Sequence, residues 1–154
     1  MKLLLLGDSH CREMDTLLTT NTATITVSFH VISVGGNTEA IMCKYQSCLR
    51  DINAFGPDNI ILHSGNNELG YHPTKNPHPK DSTQTTKILI DAANVLRTNH
   101  PQATIVLSAA FPRLLSRSSP FNYEDLVHYN NTAKRHSNRL RSEAKKLNFH
   151  WYLW

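Results

Sequence analysis

The stretch Met1-Lys2-Leu3-Leu4-Leu5-Leu6-Gly7-Asp8-Ser9-His10 decides how this 154-residue chain is read. Four consecutive leucines stop at a glycine, an acid and a serine. A short apolar run closed by Gly and polar residues suits a fully buried strand. It is too short for the apolar segment of a signal peptide, and no small-residue cleavage site follows it. Ser9 then falls where the strand meets the next helix, whose first backbone N–H groups have no partner inside the helix. Gly7 permits a tight turn there. Those amides have two uses. Asp8 or Ser9 caps the helix, the more common outcome for such residues, or the amides hold an oxyanion.

Outward from that strand, short apolar runs alternate with segments of helical period. Ile25–Val34, Ile60–His63, Thr104–Ser108 and Phe149–Leu153 join Leu3–Leu6 as predicted strands. Several are rich in the β-branched residues that fit a pleated surface. Helices are predicted near 11–19, 38–54, 82–99 and 123–147. In the third, Ile88, Ala92, Val95 and Leu96 make one apolar stripe. Ser82 is its expected cap, and Asn99-His100-Pro101 its expected end. Such regular alternation predicts an α/β fold with parallel strands and helices on both faces, in three layers, within one domain spanning 1–154. Two long loops, 69–81 and 109–122, follow predicted strands at the edge where open α/β sheets place their crevices.

Composition narrows the classes. The net charge is +4, with 40% hydrophobic and 18% charged residues, and no run approaches the roughly 20 apolar residues of a membrane span. Cys11, Cys43 and Cys48 match no metal-ligand spacing and predict reduced thiols. Together with the absence of a signal peptide, this makes an intracellular, cytoplasmic location the expectation. Residues 113–154 carry eight Lys/Arg against three Asp/Glu, so the basic excess is C-terminal. Such a run is usually a solvated helix face; its functional alternative is a patch for nucleic acid.

Two further loops resemble the first. VGGNT, Val34–Thr38, follows the second predicted strand, and HSGNNEL, His63–Leu69, follows the third. Glycine exposes its N–H to close approach and asparagine adds an amide donor, which are the parts of an oxyanion hole. Gly7-Asp8-Ser9, Gly36 and Gly65-Asn66-Asn67-Glu68 resemble the first three blocks of the SGNH (GDSL-type) hydrolases. That resemblance implies a flavodoxin-like α/β/α fold of five parallel strands in the order 2-1-3-4-5. It also implies Ser9 as nucleophile, with the N–H groups of Ser9 and Gly36 and the amide of Asn67 as oxyanion donors. The family's third block reads G-x-N-[DE], so Asn67 aligns and Asn66 does not. Asp8 and Glu68 are then supporting acids that fix the loops. GDSH, VISVGGNT and ILHSGNNE further resemble the esterase-like domains in the first proteins of some LINE-type retrotransposons.

Serine needs a base at neutral pH. The family supplies it from a D-x-x-H block after the fifth strand, and this chain stops at Trp154 on that strand. The domain is therefore expected to lack that block. Asp125-Leu126-Val127-His128 has the pattern but lies before the fifth strand, and it reads as a chance match. His63 stands close to the proposed site and reads first as a satisfied structural histidine; His10 is expected to diverge from Ser9; His72 and His78 lie on the 69–81 loop. No histidine pair suggests a metal, and no glycine-rich phosphate loop suggests a nucleotide, so no cofactor is expected. Cys11 reads as a small buried side chain. The expected function is a serine esterase acting on a small acyl or acetyl ester through an acyl-enzyme. The alternative is a non-catalytic domain that binds an acyl group, or binds nucleic acid through Lys134, Arg135, Arg139, Arg141, Lys145 and Lys146.

Overall fold

The computed structural model describes residues 1–11, 14, 27–71, 76–113 and 122–152. Five strands form one sheet in the order β2-β1-β3-β4-β5, and all four pairings are parallel. They are β1 (Lys2–Gly7), β2 (Ser28–Ser33), β3 (Asn59–His63), β4 (Thr104–Ser108) and β5 (His150–Tyr152). This is the flavodoxin-like order that the resemblance to the SGNH hydrolases implies. The helices are α1 (Thr38–Ser47), α2 (Leu49–Phe55), a single turn α3 (Asn66–Leu69), α4 (Ser82–Asn99) and α5 (Tyr123–Lys146). Ser9–Cys11 forms a 3-10 turn.

Register explains the core. Leu4 pairs with Ile60 and Ile60 with Ile105, while Leu6 pairs with Leu62 and Leu62 with Leu107. All six point to one face because strand side chains alternate with period two. There they pack with Ile41, Tyr45, Ile52, Leu89, Leu96 and Leu140 from the helices. Each fully buried leucine contributes roughly 1.5–3 kcal/mol relative to exposure. Leu5, Ile61 and Val106 alternate to the opposite face. The helix expected near 11–19 falls mostly outside the described residues, as do Ile25, Thr26 and Leu153 of the predicted strands.

Three expectations are corrected. The segment 38–54 is two helices, broken at Cys48. Ser47 Oγ donates to the Lys44 carbonyl at 2.7 Å, and the Cys48 N–H is shared between the carbonyls of Lys44 and Tyr45. That tightens the last turn, a local competition that apolar periodicity does not register. The α4 cap is Asp81 rather than Ser82: its carboxylate accepts the N–H groups of Thr83 and Gln84, and Gln84 returns a bond to the Asp81 N–H. The buried face of α4 runs through Thr85, Leu89, Ala92 and Leu96, whereas Val95 is 40% exposed. Ile88, Leu89 and Ile90 put apolar groups on adjacent faces, so the sequence alone did not fix the helix's rotation. No helix among the described residues is long and apolar enough to cross a membrane.

Candidate active site

The C-terminal ends of β1, β2 and β3 release three loops side by side. Ser9, Gly36 and Asn67 line one open crevice of about 630 Å³, together with Asn37, Glu68, Asn76, Lys80 and Arg113 among others. Ser9 is exposed on its 3-10 turn, where the Cys11 N–H bonds to the Asp8 carbonyl at 3.0 Å. Gly7 is required there by close approach: a Cβ would stand 2.2 Å from Cys11 Sγ. Burial, with Asp8 nearby, pushes the Cys11 thiol up to about 12, which keeps it protonated and unreactive.

The Gly36 and Asn67 loops are joined directly. Asn67 Nδ2 donates to the Gly36 carbonyl in a short bond. An amide nitrogen carries two hydrogens, so this bond orients the group while leaving one N–H for a ligand. Glu68, 2% exposed, makes a second tie, its Oε1 accepting from the Thr38 N–H at 2.6 Å and from the Thr38 hydroxyl. Its Oε2 is buried with no hydrogen-bond partner. Behind them Gly65 holds φ +110°, a backbone that favours glycine, with His136 Nε2 3.2 Å from where a Cβ would stand.

Asp8 is fully buried. Burial would raise its pKa, but bonds from the His10 ring, the Asn66 amide and the His10 N–H outweigh that and hold it below the usual carboxylate value. Oδ1 takes His10 Nδ1 at 2.8 Å and the His10 N–H at 3.0 Å, while Oδ2 takes Asn66 Nδ2 at 3.0 Å. The same carboxylate raises the pKa of His10, whose side chain is 50% exposed.

Asn66 is the residue the sequence reading passed over. It is 1% exposed. Its Nδ2 also meets His63 Nε2 at 3.1 Å, and its Oδ1 accepts from the Phe111 N–H at 2.9 Å and the Tyr129 hydroxyl at 3.0 Å. An amide nitrogen only donates, so His63 Nε2 is the acceptor and Nδ1 carries the proton given to Ser108 Oγ at 2.9 Å. Burial lowers the His63 pKa. His63 is thus a neutral histidine with both nitrogens engaged. Asn76 was also unanticipated: its amide spans the carbonyls of Asn67, Glu68 and Gly70 at 2.7, 3.2 and 2.7 Å. That ties Asn76 to α3 and to Gly70. An Asn just after a predicted strand and an Asn among prolines were the signals the sequence offered.

Other expected residues lie elsewhere. His128, of the D-x-x-H pattern, is exposed on α5 and lines a different groove with Lys80, Arg135 and Arg139. His78 is exposed, and His72 lies outside the described residues. Among the described residues no group of three or more His, Cys, Asp or Glu is placed to hold a metal ion.

No protein-family model matches the sequence, and no curated protein matches it. Solved structures do. A GDSL-like lipase from Bacteroides thetaiotaomicron superposes with a TM-score of 0.66 at 13% identity, over 99% of this chain and 67% of that one. For an acetyl xylan esterase the figures are 0.64, 18%, 99% and 77%. For a psychrotrophic esterase from a Pseudoalteromonas species they are 0.65, 12%, 99% and 76%. The chain has the SGNH hydrolase fold. At these identities the likeness is one of fold, and the SGNH strand order brings its first three loops to the edge where Ser9, Gly36 and Asn67 stand.

Proposed function

We propose that this SGNH-fold chain is a serine esterase that cleaves a small carboxylic ester through an acyl-enzyme. The observation that carries the reading is the convergence of Ser9, Gly36 and Asn67 on one crevice, with the Asn67 amide fixed by Gly36. Ser9 Oγ attacks the ester carbonyl, and the carbonyl oxygen takes the charge. The N–H groups of Ser9 and Gly36 and the free N–H of Asn67 stabilise that charge. The adduct collapses to the Ser9 acyl-enzyme as the alcohol leaves with the proton taken from Ser9. Water then cleaves the acyl-enzyme, releasing the acid and restoring the Ser9 hydroxyl. Removing one such donor typically costs about 10²–10³ in rate.

The Ser9 proton needs an acceptor. Among the described histidines, His63 and His136 are buried and neutral, whereas His10 is half-exposed and backed by the Asp8 carboxylate. With Nδ1 held by Asp8, its acceptor atom is Nε2. If His10 is the base, the rate rises with pH through a pKa above the ordinary 6.5. The test is hydrolysis of p-nitrophenyl acetate by wild type, Ser9→Ala and His10→Gln, each confirmed folded by circular dichroism. Loss of turnover in Ser9→Ala is expected. Turnover equal to wild type in Ser9→Ala removes the esterase reading, and wild-type turnover in His10→Gln removes His10 as the base.

A second reading rests on α5. Lys134, Arg135, Arg139 and His128, with Lys80, line two adjoining open grooves. A non-catalytic domain of a nucleic-acid-associated, retrotransposon-type assembly would use that face on phosphates. Single-stranded RNA binding that weakens with salt, alongside no Ser9-dependent hydrolysis, favours it.

A further inference from the structure

The crevice beside Ser9 carries two cations, Lys80 and Arg113, from the loops after α3 and β4. Arg113 is built in place. Its guanidinium carbon lies 4.4 Å from the Tyr129 ring centroid, and its Nη2 donates to the Asn66 carbonyl at 3.3 Å. Asn130 grips the Arg113 backbone, accepting from its N–H at 2.8 Å and donating to its carbonyl at 2.9 Å. Gly70 makes the room, since a Cβ there would stand 3.0 and 3.1 Å from the two terminal guanidinium nitrogens. A side chain already ordered in this way loses little further freedom when it binds an anion. Its charge is also felt at the Ser9 turn, where it opposes the protonation of His10.

Lys80 adds a second, adaptable charge. Its N–H is fixed to the Glu68 carbonyl at 2.8 Å while its side chain is exposed. Among the described residues no carboxylate lies within ion-pair distance of it. The acid of the crevice wall is Glu68, and one of its oxygens is occupied by Thr38. Asp8 lies beneath the crevice, enclosed by His10 and Asn66. Among the described residues Lys80 and Arg113 bring two cations to the crevice wall and Glu68 brings one carboxylate, half-engaged by Thr38.

We propose that this crevice selects esters whose alcohol part carries an anionic group, a carboxylate or a phosphate, held by Arg113 and Lys80. The proposal rests on the esterase reading of the same site. Charge-assisted bonds to a fixed guanidinium are the stronger class of hydrogen bond, and a partly enclosed pair is screened less by salt than an open one.

The test separates selection from chemistry. Two probes are used, 3-acetoxy-4-nitrobenzoate and its methyl ester, which differ by one charge. Their binding to the Ser9→Ala chain, which preserves the crevice without turnover, is followed by NMR titration. About tenfold tighter binding of the anionic probe is expected at roughly 0.05 M salt, narrowing severalfold at about 0.5 M. The preference falls about threefold in Lys80→Gln and further in Arg113→Gln. Lys80 is exposed, so its variant reports even if Arg113→Gln weakens the fold. Equal binding of the two probes, binding of neither, or a preference that survives both substitutions overturns the proposal. The esterase reading stands or falls separately, on whether wild type cleaves the methyl ester and Ser9→Ala does not.

Discussion

The middle and the C-terminal ends of the sheet's central strands are held by opposite physics. In the middle, Leu4, Leu6, Ile60, Leu62, Ile105 and Leu107 bury apolar side chains against helices and need only shape and register. At the C-terminal ends, the same strands run into a layer of buried polar groups, Asp8, His63, Ser64, Asn66, Glu68 and Ser108, in which each bond must be made or a desolvation cost remains. Stability of the first kind is spread over many contacts. Stability of the second kind is concentrated in a few atoms, and those atoms position the loops around Ser9.

Leu107→Ala probes the apolar half. Leu107 is fully buried at the centre of the core, so about 3–4 kcal/mol of stability is expected to go, read as a lower denaturant midpoint. Asn66→Ala probes the polar half. It strands Asp8 Oδ2 and takes Asn66 Oδ1 away from the Phe111 N–H, while the Tyr129 hydroxyl keeps the Phe111 carbonyl as acceptor, so about 2–3 kcal/mol is lost, together with Ser9-dependent hydrolysis. A variant that loses stability but keeps full activity would show that the network serves the fold alone.

His136 sits where the two halves meet, buried on α5 beneath Gly65. Thr86 Oγ1 gives its proton to the Ser82 carbonyl, so it accepts from His136 Nδ1 at 3.0 Å, and burial lowers the His136 pKa to about 4. The unfolded chain takes up that proton near 6.5 and the folded chain does not, so stability is full above 6.5 and declines as pH falls toward 4. The loss is roughly 2–3 kcal/mol. His63, also lowered, acts in the same direction. The difference in pH slope between wild type and His136→Gln in urea unfolding isolates the His136 share, and identical slopes would contradict it. The smallest effect is expected far from both regions: Asp81→Ala removes the α4 cap and costs about 1 kcal/mol in thermal unfolding, with little change at the crevice.

This contrast also decides what could be read from the sequence. Apolar runs broken by Gly, Asn and Pro carried the strands and the α/β class, because burial imposes a period that residues near one another reveal, whereas the strand order came from the resemblance of the three loop motifs to the SGNH hydrolases. Ser9, Gly36 and Asn67 could be expected at one sheet edge because each follows a predicted strand, and Asn67 was chosen over Asn66 through the family's G-x-N-[DE] block alone. The role of Asn66 was not legible, because its partners, Asp8, Phe111 and Tyr129, lie 58, 45 and 63 residues away. Arg113 was hidden for the same reason, its place depending on Tyr129, Asn130 and the missing side chain of Gly70. The break at Cys48 and the rotation of α4 escaped because single hydrogen bonds and adjacent apolar faces decided them.

The most direct test of the central claim is intact-mass analysis after exposure to a fluorophosphonate, which traps an activated serine as a stable phosphonyl ester. A crevice built as described yields one adduct per chain, mapped by peptide sequencing to Ser9 and absent from Ser9→Ala. A folded wild-type chain that stays unmodified, or that is labelled at another residue, would contradict the account.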